Sequence, residues 1–316
     1  MLEEKKDEIE GGAEVRFSRI YKSIQKGSFL VKFRRRLGIY LVSDASLKKT
    51  IERSNTYKKL RVRYSRILNS RIESSQQRAE ENKRIWICWF QGHDQAPDIV
   101  KACINSINRN LSDYEIVILS HDNIDDYVTL PNYIDEKYRR GIISMAHYSD
   151  ILRTELLCRH GGIWIDGTVL CTSPEFFNYI ITLPLFVYKV IPPSNNWSSP
   201  IVASSWLIVS ESNNKILLLT RKLLFAYWEH ATSLDDYFLF HMFFTMAARR
   251  YHEDWENIPS FNNSSPHVLQ FELDSPYNAL RFNQILQMSS FHKLNHHKDF
   301  LQTNDSFYQY ILNEFL

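Results

Sequence analysis

Glycine is scarce in this 316-residue chain, with nine residues in a sequence that is 44% hydrophobic and 14% aromatic. A core built of bulky rings needs few glycines, so each one present marks a place where the backbone needs freedom. Cysteine is scarcer still: Cys88, Cys103, Cys158 and Cys171 lie far apart, within apolar stretches, and form no CxxC pair. That spacing excludes a zinc ribbon and a disulfide framework, and points to buried thiols in a reducing compartment. No uninterrupted apolar run reaches the roughly 18 residues of a membrane span. The opening MLEEKKDEIE lacks the basic-then-apolar order of a secretory leader. The expectation is a cytoplasmic protein, held at most peripherally at the inner face of the plasma membrane.

What is present is a charge asymmetry hidden by a net +2. Residues 1–84 carry 22 Lys and Arg against 11 Asp and Glu, leaving 16 against 25 for residues 85–316. The division suggests a basic helical N-terminal region, 1–84, and a mildly acidic catalytic domain, 85–316. Between 16 and 71 apolar residues alternate with Arg and Lys in a loosely helical pattern, as in FLVKFRRRLGIYLV. Such a stretch either lies on an anionic membrane surface or forms a solvated helix face against the body. No nucleic-acid-binding motif accompanies the charge, and nucleic acid is not expected as a partner.

From residue 85 the pattern changes to strands alternating with helices, which predicts a layered α/β domain with a largely parallel sheet. IWICWF (85–90), EIVILS (115–120), IWI (163–165) and VASSWLIVS (202–210) read as buried strands. Helices are expected after Pro97, over 145–160 with an apolar stripe of Tyr148, Ile151, Leu152, Leu156 and Leu157, and over 214–229 and 235–250.

Ligands of such sheets bind beyond the carboxyl ends of the strands, so the polar residues that end them come first: Gln91, His121 or Asp122, and Asp166. Asp166 emerges from Ile163-Trp164-Ile165, where burial stops. A carboxylate there either caps the next turn or holds a divalent cation shared with substrate phosphates. His147, Asp150 and Arg153 recur at three-residue steps on the preceding helix and share one polar face. An acid and a guanidinium beside Asp166 can accept from and donate to sugar hydroxyls, or form an exposed ion pair. Gly161-Gly162 reads as a helix cap that also permits close backbone approach to a ligand.

The run SDILRTELLCRHGGIWIDGTV (149–169) resembles the Ser-Asp-x-x-Arg…Gly-Gly-x-x-x-Asp signature of glycosyltransferase family 32 and its capsular polysaccharide synthesis relatives. IWICWFQG, APDIVKACINSI and DDYFLFHMFF (235–244) resemble other segments of that family, over about residues 85 to 300. The resemblance implies a GT-A-like, Rossmann-type mixed sheet flanked by helices, and a retaining, nucleotide-sugar-dependent transferase of capsular polysaccharide biosynthesis. A UDP- or GDP-linked donor and a glycan or lipid-linked acceptor follow from it. Asp150 and Arg153 match donor-sugar residues, and Asp166 matches the first Asp of an Asp-x-Asp motif for Mn²⁺ or Mg²⁺. Thr168 stands at the second Asp, which puts tight metal binding in doubt. Trp86 to Gln91, Trp89 among them, would line the base and ribose pocket, although Trp89 also suits plain core. From the residues themselves, Asp236 reads as a helix N-cap and His241 as a core residue, or one of them completes the site from across the sheet. FHKLNHHKDF (291–300) resembles a His-Lys-Leu segment whose His292, Lys293 and His296 would contact the diphosphate, His292 also as a weak metal ligand. The alternative left open is a non-catalytic glycan- or lipid-binding module.

Overall fold

The computed structural model describes residues 44–72, 84–191, 199–296, 300 and 305–316. Most of the basic front, including FLVKFRRRLGIYLV, lies outside them. The chain forms two compact units, 1–56 and 57–316. In the first, the described residues are the opening of helix α1 (Ala45–Arg63), capped by Asp44, whose Oδ1 accepts from Leu47 N at 2.8 Å. In the second unit α1 continues with Tyr57 and Leu60 buried, and α2 (Ser65–Leu68) buries Leu68. The second compact unit thus takes in residues 57–84 together with 85–316. Charge counting registers the solvent-facing Lys and Arg of this stretch and overlooks the few apolar positions that enter the core.

A five-stranded sheet organises the body: β1 (Arg84–Cys88), β2 (Glu115–Leu119), β3 (Gly162–Ile165), β5 (Leu185–Lys189) and β6 (Ala203–Ser210), in the order β2-β1-β3-β6-β5. β4 (Val169–Cys171) pairs antiparallel with β7 (Phe291–Lys293) as a separate ribbon. The large sheet is less parallel than the alternation of elements predicts. β2, β1 and β3 run together, while β6 lies antiparallel to both β3 and β5. The reason lies in the connections: among the described residues no crossover helix stands between β5 and β6, and β6 returns antiparallel beside its neighbour.

Each central strand is apolar on both sides, and its residues divide by parity. Trp86, Trp164, Val187 and Ile208 face one core with α5 (Met145–His160) and two helices that follow the sheet. Ile85, Ile87, Ile163, Ile165, Phe186 and Leu207 face the other. Counting from the start of the body, the remaining helices are α3 (Asp98–Asn110), α4 (Asn132–Arg139), α6 (Glu175–Ile180), α7 (Lys215–His230), α8 (Leu239–Arg250), α9 (His252–Glu256), α10 (Val268–Glu272), α11 (Ala279–Leu286) and α12 (Phe307–Phe315). α8 starts four residues later than the apolar pattern suggests, because 235–238 form a turn.

Parallel pairing of β1, β2 and β3 brings their carboxyl ends to one edge, where β6 begins and α5 has its first turns. No helix among the described residues is long and apolar enough to cross a membrane. All four cysteines are free, and burial pushes each thiol up to about 12, so they are inert at neutral pH.

Candidate functional site

Helix α5 delivers the first half of the site. Ser144 caps it, its Oγ accepting from His147 N at 3.3 Å. Its polar residues lie together as the three-residue spacing suggests, but not as an exposed ion pair: His147, Asp150 and Arg153 are all buried. α5 lies between the sheet and later helices, so polar groups on it pair with one another. His147 Nδ1 lies 3.4 Å from Asp150 Oδ2, and Arg153 Nη2 lies 3.4 Å from Asp150 Oδ1. Burial alone would raise the Asp150 carboxyl, but Arg153, His147 and His241 together hold it below the ordinary carboxylate range.

Strand β3 delivers the second half. Asp166 follows its last residue and is fixed from three directions: Trp164 Nε1 donates to Oδ1 at 2.9 Å, Arg153 Nη2 lies 3.4 Å from the same oxygen, and Lys293 Nζ lies 3.4 Å from Oδ2. Arg153 also donates through Nη1 to Ser205 O at 2.6 Å, at the start of β6, and its guanidinium stands 4.8 Å from the Trp164 ring centre. Lys293 Nζ donates to Thr168 Oγ1 as well. The result is a chain of alternating charge, Asp150, Arg153, Asp166 and Lys293, at the carboxyl edge of the sheet, with His147 against its inner end. Side-chain exposure rises along it from 6% at Arg153 to 24% at Asp166 and 22% at Lys293, so the outer end is the accessible one.

Around this chain Trp89 packs beside the Asp166-Gly167-Thr168 turn, with its Cε3 3.6 Å from where a Cβ on Gly167 would lie. Its ring meets His296 edge-on at 5.2 Å, and its buried Nε1 has no hydrogen-bond partner. Gln91 is exposed at the same edge, with Nε2 3.7 Å from Met145 Sδ at the start of α5. From the other side Tyr237 brings a 64% exposed ring whose hydroxyl is raised by partial burial first, then by Asp150 and Asp166. His241, half-buried between Phe238 and Phe240, is close enough for its charge to act on Asp150. Asp236 sits in the turn that presents Tyr237, its Oδ1 accepting from Phe238 N at 2.8 Å.

Several expected residues fall elsewhere. Gly161 and Gly162 stand at the amino end of β3, about four residues or roughly 13 Å from Asp166. They approach backbone, not a ligand. Gly161 has φ +67° with Ser212 N 2.7 Å from the position of a Cβ, and Gly162 has φ +95° with Arg84 O at 2.7 Å. Trp86 is buried in mid-strand and donates through Nε1 to Gly161 O at 3.0 Å, which removes it from any base pocket. His292 points to the opposite face of β7 from Lys293, its Nε2 3.3 Å from Thr172 Oγ1, and burial pushes it down to about 4. It cannot share an ion with Asp166. His121 stacks on Phe90 at 5.0 Å and meets Tyr138 OH at 3.3 Å. Sequence reasoning missed Trp164, Tyr237 and the Ser205 carbonyl. Trp164 was within reach of it, since residues two apart on a strand share a face.

A divalent cation fits this arrangement poorly. Mg²⁺ and Mn²⁺ take a near-octahedral shell of oxygens. Here one carboxylate offers oxygens already shared by Trp164, Arg153 and Lys293, and the neighbouring hydroxyl is engaged by an ammonium. Among the described residues no group of three or more His, Cys, Asp or Glu converges as a metal site.

The model of the family "Capsular polysaccharide synthesis protein" matches residues 39–311. The chain belongs to that family. No curated protein matches it. Among solved structures, "PaToxG Glycosyltransferase" is similar over 77% of this chain and 87% of that one, with 14% identity and a TM-score of 0.35, a likeness too loose to assign fold or activity. The charged edge built by α5, β3 and β7 is the candidate site; a second group of ionisable residues, Arg71, Glu155, Arg159, Arg221 and Lys222, lines a cavity by the carboxyl-terminal half of α5.

Proposed function

We propose that this chain is a hexosyl-type glycosyltransferase that moves a sugar from a UDP- or GDP-linked donor to a glycan or lipid-linked acceptor during capsular polysaccharide biosynthesis, with retention of configuration. The observation that carries the reading is the alternation of Asp150, Arg153, Asp166 and Lys293, buried at Asp150 and Arg153 and opening at Asp166 and Lys293. An activated sugar presents hydroxyls beside a diphosphate, and carboxylates next to an ammonium match those two chemistries. Trp89, half-buried at the same edge, offers a ring face for the base. Asp150 and Asp166 accept from sugar hydroxyls, and Arg153 holds both carboxylates in place.

In the transfer, the bond from C1 of the sugar to the donor phosphate oxygen breaks and its electron pair goes to the departing diphosphate. The acceptor hydroxyl oxygen bonds to C1 on the same face, and its proton passes to that phosphate oxygen. No protein nucleophile enters. The enzyme supplies orientation and charge fixed before reaction, and electrostatic preorganisation of this type dominates such steps. The basic stretch 16–71 would hold the enzyme at an anionic membrane surface, each Lys or Arg adding about 1 kcal/mol; vesicle co-sedimentation with and without anionic lipid tests it.

The reading is tested by screening UDP-, GDP- and CMP-sugars for hydrolysis by the whole chain, together with melting shifts caused by UDP and GDP. Turnover of one donor with stabilisation by its nucleotide is expected. A protein that is stabilised by glycan alone, with no nucleotide shift and no donor turnover, is a glycan-binding module.

A further inference from the structure

We infer that Lys293 takes the place of a divalent cation at this site: its ammonium, held between Asp166 and Thr168, neutralises the departing diphosphate, and transfer needs no metal. The inference rests on the donor reading above and deepens it.

Three observations meet here. Thr168, two residues beyond Asp166, presents a hydroxyl, and a hydroxyl is a weak ligand for a hard divalent ion. Lys293 reaches that hydroxyl and also lies 3.4 Å from Asp166 Oδ2, so a positive charge already sits between the two groups. The ribbon aims it there. β7 pairs with β4 in the register Val169↔Lys293 and Leu170↔His292, and Leu294 N donates to Thr168 O at 2.9 Å, so Lys293 is brought across the turn that follows Asp166. A metal placed beside Asp166 would meet the ammonium at once, with one carboxylate to balance the charge of both.

The charges also sum suitably. Asp150 with Arg153 and Asp166 with Lys293 form two neutral pairs before substrate arrives. When the C1–O bond breaks, the added negative charge on the diphosphate draws the partly exposed ammonium outward from Asp166. The three N–H bonds of an ammonium allow it to donate to phosphate while keeping Thr168, and its proton stays on nitrogen throughout.

The test compares wild-type protein in EDTA with protein in MnCl₂ or MgCl₂, reading donor hydrolysis and, separately, the melting shift given by UDP and GDP. Turnover and shift are expected to agree between buffers within about twofold. Mn²⁺ titration followed by electron paramagnetic resonance should show no site on wild-type protein, and a new one in Thr168→Asp combined with Lys293→Ala. Lys293→Gln should lower kcat by about 100-fold, in line with loss of one preorganised donor, and Lys293→Arg should recover part of that. Turnover that EDTA abolishes and Mn²⁺ restores overturns the inference while leaving the transferase reading intact. If no donor turns over and no nucleotide shifts melting in any buffer, the donor reading itself falls and this inference with it.

Discussion

The two ends of β3 differ in what surrounds them. At the amino end Gly161 and Gly162 are walled by the backbone of Ser210–Ser212 and Arg84, with no room for a side chain. At the carboxyl end Asp166 meets Trp164, Arg153 and Lys293, and the surroundings open to solvent. A run that reads as one motif, Gly-Gly-x-x-x-Asp, therefore does two separate jobs. The glycines let β3 enter closely between β1 and β6, and that entry fixes where the carboxylate emerges. Glycine in such a run is evidence for packing, and the acid is evidence for chemistry.

Substitutions can break that contrast, beginning with the largest effect. Asp166→Asn keeps the shape and removes the charge, so donor turnover should fall by about 100- to 1,000-fold while the melting temperature changes little; the pair of measurements separates chemistry from folding. Gly162→Ala should do the reverse. A Cβ at φ +95° and 2.7 Å from Arg84 O costs on the order of 3 kcal/mol in urea unfolding, with turnover per folded molecule retained.

The ribbon that supplies Lys293 gives a third test, because its neighbour His292 is buried on the other face. The folded-state pKa of His292 is pushed from 6.5 to about 4 by burial. The unfolded chain therefore binds a proton that the folded chain refuses between those values. Stability from this group is complete above about pH 6.5 and is lost as pH falls towards 4, by up to about 2–3 kcal/mol. Denaturant titrations across that range should show the slope in wild type and a shallower one in His292→Asn. The smallest effect concerns Gly92, which lies at the charged edge with φ +83° and nothing within 4 Å of a Cβ. Gly92→Ala should cost about 1 kcal/mol, from backbone strain alone. A cost equal to that of Gly162→Ala would erase the distinction between the two edges.

Much of this arrangement was legible in the sequence where the signal is local. The apolar runs of β1, β2 and β6 and the capped 16-residue pattern of α5 announce themselves, because each stretch is buried on its own account. β4 and β7 were not, since three-residue strands carry no periodicity and their pairing joins residues 120 or more positions apart. The same distance hides the approach of Lys293 to Thr168. Asp150, Arg153 and Asp166 were placed together by the motif, but the burial of Asp150 and Arg153 was invisible, because it depends on helices α7 and α8 closing over α5. The glycine pair caps α5 as its sequence suggests, Gly161 N donating to Leu157 O at 3.0 Å, while the ligand approach read beside the cap could not be judged locally. What fills the space beside a glycine is decided by neighbouring strands, and the local run does not contain them.

The central claim is that a nucleoside diphosphate is bound between Trp89 and Lys293 at the carboxyl edge of the sheet. Crystals of the protein with UDP or GDP test it most directly. The account predicts diphosphate oxygens within about 3 Å of Lys293 Nζ, beside Asp166. Nucleotide bound instead in the basic cavity lined by Arg71, Arg159, Arg221 and Lys222, by the carboxyl-terminal half of α5, would contradict it.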